Sequence, residues 1–264
     1  MHLGYIFIIS LYFILSISGQ DAIATFYENQ SDTISFRTND QYKTLNTRQL
    51  NHIRFNDLVG GVFGFEIQNR NLDYDFLLNA VESKNNVSIT NLSSFFTMQS
   101  IVLSKALISI GYRVNSNSYE KDILIAPRIN IDLSLNKFWG NLIFNSGRYF
   151  QNPPEKYLSV VNHNDLKSVN TYQHSLTYEK LITRSTKFSI SIYEKQYSNA
   201  PMMESNQMFT DPTFLLDELR TYKNILSNGK AKTNGIEILL EKKRAINFYG
   251  LIGGSIYNLS LIHI

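Results

Sequence analysis

Apolar residues recur at every second position through run after run of this chain, and the runs are long. In 128–135, Ile129, Ile131, Leu133 and Leu135 oppose Arg128, Asn130, Asp132 and Ser134. In 106–113, Ala106, Ile108, Ile110 and Tyr112 oppose Leu107, Ser109, Gly111 and Arg113. Phe188, Ile190 and Ile192 likewise oppose Lys187, Ser189, Ser191 and Tyr193. In 235–241, Ile236, Ile238 and Leu240 oppose Gly235, Glu237 and Glu241, with Leu239 out of pattern. Period two with one apolar and one polar side is the mark of a half-buried strand. Strands are expected at about 32–38, 45–55, 58–69, 93–102, 105–116, 123–134, 137–149, 170–181, 185–197, 232–243 and 246–258. Many approach or exceed ten residues. Strands of ordinary globular proteins run to ~5–6 residues and those of membrane barrels to ~9–11.

The connections between these strands alternate in length. Short ones fall at Asn56 and Asp57, at Ser104, at Asn136, at Thr183 and Arg184, and at Arg244 and Ala245. Longer ones fill about 39–44, 70–92, 117–122, 150–169 and 198–231. Membrane barrels carry short turns on the periplasmic rim and longer loops outside. A soluble sandwich has no reason to keep that parity over five hairpins. Within 211–219, DPTFLLDEL has the apolar spacing of a short helix inside the last loop.

The N-terminal stretch admits two readings. Residues 5–17 are almost uniformly apolar, too short for a spanning helix of ~20 residues. They suit the apolar core of a secretory leader over 1–19, with Ser16, Ser18 and Gly19 near a cleavage point, although His2 stands where Lys or Arg is usual. The other reading is a strand, with Phe7, Ile9, Leu11, Phe13, Leu15 and Ile17 on one side. After residue 20 no apolar run is long enough to cross a membrane as a helix.

Composition then removes whole classes. Among 264 residues, 25 Lys and Arg against 22 Asp and Glu leave a net charge of +3, which argues against a general nucleic-acid binder. The absence of Cys excludes a disulfide scaffold, a thiolate zinc site and a cysteine nucleophile. No HExxH, GxSxG or EF-hand pattern occurs, so no catalytic residue, metal site or cofactor is expected.

Several runs resemble, in order, the barrel of TonB-dependent outer-membrane receptors. IGYRVNSNSYEKDILIAPRINIDLSL (110–135) and NLIFNSGRYFQNPP (141–154) are similar to that family's strand, loop, strand, turn and strand. NTYQHSLTYEK (170–180), FSISIYEKQYSN (188–199) and NGKAKTNGIEILLEKK (228–243) resemble later strands. Before residue 110 the likeness is only of type, in FNDLVGGVFGFEIQNR (55–70) and SSFFTMQSIVLS (93–104). The resemblance implies an all-β, antiparallel, up-and-down transmembrane barrel of about 22 strands. It implies a Gram-negative outer-membrane receptor that takes up a scarce nutrient of the siderophore, cobalamin or glycan class, and no enzyme. Its partners would be outer-membrane lipid, the nutrient, and the TonB complex through a plug region.

Neither a plug nor a TonB box is seen, and about eleven strands are half the implied number. The chain is therefore expected to be an incomplete barrel over 20–258. LSLIHI (259–264) reads as the translation of a transposon adapter used in library preparation and is expected not to be native. A plugless porin-like channel is the alternative, and an outer-membrane enzyme or a soluble β-rich secreted protein are weaker ones. His174 and Ser175, adjacent in a strand, point to opposite faces and make a poor catalytic pair.

Two sets of site residues follow. Arg113, Arg128, Asp132, Glu237 and Glu241 fall on the side expected to face the lumen. The long loops 150–169 and 198–231 are the candidates for ligand contact. Their candidate residues are His163, Asp165, Met202, Met203 and Phe209. His174 is expected at a membrane interface.

Overall fold

The computed structural model describes residues 8–23, 36–78, 81–136, 138–154, 157–158, 166–203, 225–245 and 248–262. They form one sheet of eleven strands in sequential order: β1 (Ile8–Ile23), β2 (Phe36–Arg54), β3 (Val59–Leu78), β4 (Val81–Val102), β5 (Ala106–Asn117), β6 (Leu124–Asn136), β7 (Gly140–Gln151), β8 (Val169–Thr183), β9 (Thr186–Met203), β10 (Ile225–Ala245) and β11 (Phe248–Ile262). Each strand pairs antiparallel with the next, and β1 and β11 are the two edges. No helix among the described residues is long and apolar enough to cross a membrane. The antiparallel, up-and-down barrel-type sheet expected from the alternation is what forms, left open between β1 and β11.

Directly opposed residues in an antiparallel pair share a face, so the register assigns every side chain outside the irregular positions. One face is apolar. Met98 opposes Ile110, which opposes Ile129. Leu176, Ile192, Ile236 and Ile256 form a row across four strands. Ile110 is 57% exposed, Ile192 50% and Ile236 48%. From Ala106 to Val114 the apolar side of β5 runs eight steps, ~26 Å at ~3.3 Å per residue. Tilted as barrel strands are, that is about 20 Å of height, near the ~25 Å band of outer-membrane barrels. Phe138 and Trp139, exposed at the β6–β7 turn, place aromatic rings at the rim of that band.

The short connections after β2, β4, β6 and β8 lie on one rim, as the parity requires, and β10 runs through the short connection expected at Arg244 and Ala245. Asn56 Oδ1 accepts the Leu58 and Val59 N–H groups at 2.8 Å each. Asn136 Oδ1 accepts those of Phe138 and Trp139, also at 2.8 Å. In both, a side chain supplies the acceptor that a tight reversal of the backbone leaves missing. The β4–β5 turn works differently: Leu103 and Ser104 both take positive φ, 50° and 53°. With the Lys105 N–H donating to the Val102 carbonyl at 3.1 Å and Val102 opposite Ala106, Leu103 and Ser104 form a turn with positive φ at both central positions, which matches strand twist, followed by one extra residue.

On the opposite rim the structure departs from the expected boundaries. The strands expected at 32–38 and 45–55 are one strand, β2, so 39–44 is no connection. The expected loop 70–92 is mostly the paired outer arms of β3 and β4, in register from Asn71↔Ser88 to Leu78↔Val81. The eleventh strand is β1, which pairs with β2 from Ile8↔Arg54 to Ile23↔Asn39 and takes up most of the stretch read as a leader. β11 continues through Ile262 and so includes part of LSLIHI. Loop 198–231 contracts, because β9 extends to Met203 and β10 begins at Ile225. The helix expected at 211–219 lies outside the described residues.

A left-handed conformation costs about 1–2 kcal/mol for a residue with a Cβ. Leu103→Asn with Ser104→Gly should therefore raise stability by about 1–2 kcal/mol, since Asn-Gly suits this turn. The urea midpoint of the micelle-folded chain measures it. An unchanged or lower midpoint would refute the turn geometry.

Candidate functional site: the polar face and its cap

The second face of the sheet is polar. Arg113 opposes Phe95 on β4, which opposes Gly64 on β3; Ser93 opposes Glu66, which opposes Arg48 on β2. On β6, Arg128, Asn130 and Asp132 oppose Gly111, Ser109 and Leu107. Glu237 and Glu241 oppose Ser191 and Lys187 on β9. Following the pairs from strand to strand puts Arg113, Arg128, Asp132, Glu237 and Glu241 on this one face, away from the apolar band.

Arg113 is the hub of its middle. Its Nη2 donates to Ser93 Oγ at 2.8 Å and to Glu66 Oε2 at 3.2 Å, and its Nε donates to Asn115 Oδ1 at 2.8 Å. Three strands are tied by one guanidinium. The pair with Glu66 is about a quarter exposed on each side, so its charges are partly screened and contribute modestly. Two hollows flank Arg113. The outer one, about 270 Å³, includes Gln68, Asn91 and Asn117 in its lining. The inner one, about 380 Å³, reaches Arg48, Phe95 and Tyr149. Arg48 lies 5.1 Å over the Phe95 ring and Arg128 4.4 Å over the Tyr149 ring. Farther along, Lys187 Nζ meets Glu179 Oε1 at 3.2 Å.

The described residues of the β7–β8 connection, 152–154, 157–158 and 166–168, pack against this face of the sheet. Tyr157, Leu158 and Leu166 are fully buried there, against Val87 and Ile89 of β4 and Ile225 of β10. The polar ties are specific. Asn152 Nδ2 donates to Asn91 Oδ1 at 3.0 Å, and the Lys167 N–H donates to Ser227 Oγ at 2.8 Å. Glu120, in the β5–β6 connection, accepts from Ser168 Oγ at 2.7 Å and from the Ser168 N–H at 3.1 Å. Tyr119 Oη lies 2.7 Å from the same Ser168 hydroxyl. A buried carboxylate is tolerated where hydrogen bonds replace its water.

The loop candidates fare differently. His163, Asp165 and Phe209 lie outside the described residues. Met202, expected exposed in a loop, is buried near the end of β9. Asn199 takes φ of 59°, the β9–β10 register shifts there, and Met202 packs where a Cβ on Gly229 would meet its Cγ at 2.7 Å. Met203 opposes Ile225 as the last residue of β9. His174 sits on the apolar side, its Nδ1 2.9 Å from Ser146 Oγ, near the Lys232–Glu194 ion pair at 2.9 Å. No group of three or more metal-ligating side chains is found among the described residues. Sequence reasoning passed over Glu120, Ser168, Tyr157 and Leu158, which carry no periodic signal. It also passed over Arg48 and Glu66, which the alternation of β2 and β3 could have placed.

No protein-family profile and no curated protein matches the sequence. Solved structures do match the fold. The ferric yersiniabactin uptake receptor FyuA from Yersinia pestis superposes with a TM-score of 0.72 at 10% identity, over 96% of this chain and 40% of that one. The ferripyoverdine receptor of the Pseudomonas aeruginosa outer membrane gives 0.67 at 14%, over 97% and 38%. The outer-membrane transporter YddB from Escherichia coli gives 0.65 at 11%, over 98% and 41%. The chain thus spans about 40% of the length of these proteins, and its fold is that of a run of strands in their barrel wall.

Replacing Glu120 by Ala leaves the buried Ser168 donors without their acceptor, at a cost of about 1–3 kcal/mol. Limited proteolysis of the 152–168 connection in the folded chain should speed up by about tenfold or more. An unchanged cleavage rate would show that the cap does not depend on this knot.

Proposed function

We propose that this chain is part of the barrel wall of a TonB-dependent receptor in the outer membrane of a Gram-negative bacterium. The observation that carries the reading is the sheet itself. Eleven sequential antiparallel strands present one exposed apolar band and one polar face, with short turns on one rim only. A soluble protein does not leave so much contiguous apolar surface in water. Lipid removes that penalty, and only helices and closed barrels satisfy every backbone group within it. The likeness to siderophore receptors and an outer-membrane transporter supports the same reading.

In this function no covalent bond is made or broken. The apolar band contacts lipid, and the polar face, with Arg113, Arg128, Asp132, Glu237 and Glu241, walls the uptake path. The capped rim faces outward, where a scarce nutrient of the siderophore, cobalamin or glycan class is met. Contact with TonB passes through a plug rather than through this sheet. The unpaired edges of β1 and β11 would each expose a row of backbone groups to lipid, so further strands, or a second copy, complete the circle.

Charge on the lipid face of such a barrel costs about 2–4 kcal/mol near mid-depth, and lumen positions tolerate it. In the full-length barrel, Ile190→Arg should therefore sharply reduce the heat-modifiable, assembled form in outer-membrane fractions, while Ser191→Arg should leave it near the wild-type level. Equal tolerance of the two substitutions would overturn the assignment of faces and the membrane reading with it.

A further inference from the structure

The inner hollow on the polar face concentrates cations in a way the wall of a water-filled path does not require. Arg48 from β2, Arg113 from β5 and Arg128 from β6 line one space of about 380 Å³, the size of a small-molecule site. Neither Arg48 nor Arg128 has a carboxylate partner among the described residues, and Arg113 has only Glu66. Phe95 and Tyr149 stack under the first and last guanidinium. Stacking fixes the plane of each fork and leaves its N–H edges free to point at a ligand.

The floor is kept open by absent side chains. A Cβ on Gly111 would stand 2.6 Å from Thr97 Oγ1, and one on Gly147 3.0 Å from Arg128 Cγ. Across the sheet the excess of cations is gone. On β8–β10 the same face carries Glu179, Glu237 and Glu241 among Lys187, Lys195 and Lys243, with Lys187 already paired to Glu179. An anion on this face is therefore drawn to one side of it.

We infer that this hollow binds a small polyanion, gripped through its carboxylate or phosphate oxygens by Arg48, Arg113 and Arg128. The inference rests on the reading of the polar face as the wall of an uptake path and adds the chemical class of what passes along it. Guanidinium forks match such oxyanions two bonds at a time. All three come from strands of this chain, so the site is complete within it.

The test uses the whole chain folded in detergent micelles, with folding read by far-UV circular dichroism and heat-modifiable mobility. Citrate, pyrophosphate and uncharged maltose are titrated by calorimetry at low salt. Citrate, pyrophosphate or both should bind, more weakly as salt rises, and maltose should not. Citrate alone identifies carboxylate as the preferred group, pyrophosphate alone phosphate. Arg48→Gln and Arg128→Gln should each weaken binding about tenfold, with Arg128→Lys between that and wild type. Lys195→Gln, on the other half of the face, should stay within about twofold. Maltose binding as tight as citrate, or an equal loss in Lys195→Gln, overturns the inference. A folded chain that binds neither anion overturns it and leaves the barrel reading standing. A chain that forms no sheet in micelles overturns the inference that the site stands within this chain alone; the barrel reading, which already requires further strands, is not touched by that outcome.

Discussion

Everything in this structure depends on the pairing of backbone N–H and C=O groups between neighbouring strands. In water an unpaired peptide group finds a solvent partner. In hydrocarbon it does not, and each such group costs several kcal/mol. The ladder runs through ten successive pairings, from Ile8↔Arg54 to Lys230↔Ile262, with short register shifts only in β6–β7, β8–β9, β9–β10 and β10–β11. Once the ladder is fixed, the pleat assigns side chains to faces with no further choice. Ile129 and Arg128 are neighbours in the chain and belong to opposite sides of the sheet. The apolar band and the polar face are two consequences of one set of hydrogen bonds.

That coupling explains how far the sequence could be read. Where one face of a sheet is apolar and the other polar, apolar and polar residues must alternate. The strands from β5 to β9 are legible for that reason, as are the short turns after β2, β4, β6 and β8 and the shared face of Arg113, Arg128, Asp132, Glu237 and Glu241. The outer arms of β3 and β4 were read as a loop because the alternation changes phase there. Ile67 and Leu92 lie on the apolar side, whereas Leu72, Val87 and Ile89 lie on the polar side, under the cap. The environment inverts, from an exposed apolar band on one face to a covered core on the other. A period-two search sees this as the end of a strand.

The residues of the cap were illegible for a different reason. Tyr157, Leu158 and Leu166 are buried by a connection, and their partners are far away in sequence. Nothing local distinguishes them from exposed loop residues. Met202 illustrates a third limit. One residue with positive φ, Asn199, turns the end of β9 so that a side chain counted as loop becomes part of the packing. Single-residue irregularities of this kind reassign whole strand ends, because every later side chain changes sides.

The docked β7–β8 connection also bears on how such a surface can change over generations. It is tied to the β3–β4 hairpin through Asn91, Val87 and Ile89, to the β5–β6 connection through Glu120, and to the β9–β10 hairpin through Ile225 and Ser227. Loops of a rigid scaffold are usually free to vary one at a time. Here a change in one of these segments alters the fit of the others, so their effects cannot add independently. Variation at this rim must then be inherited in blocks. A chimaera that exchanges one hairpin with a distant relative would have to bring its neighbours along.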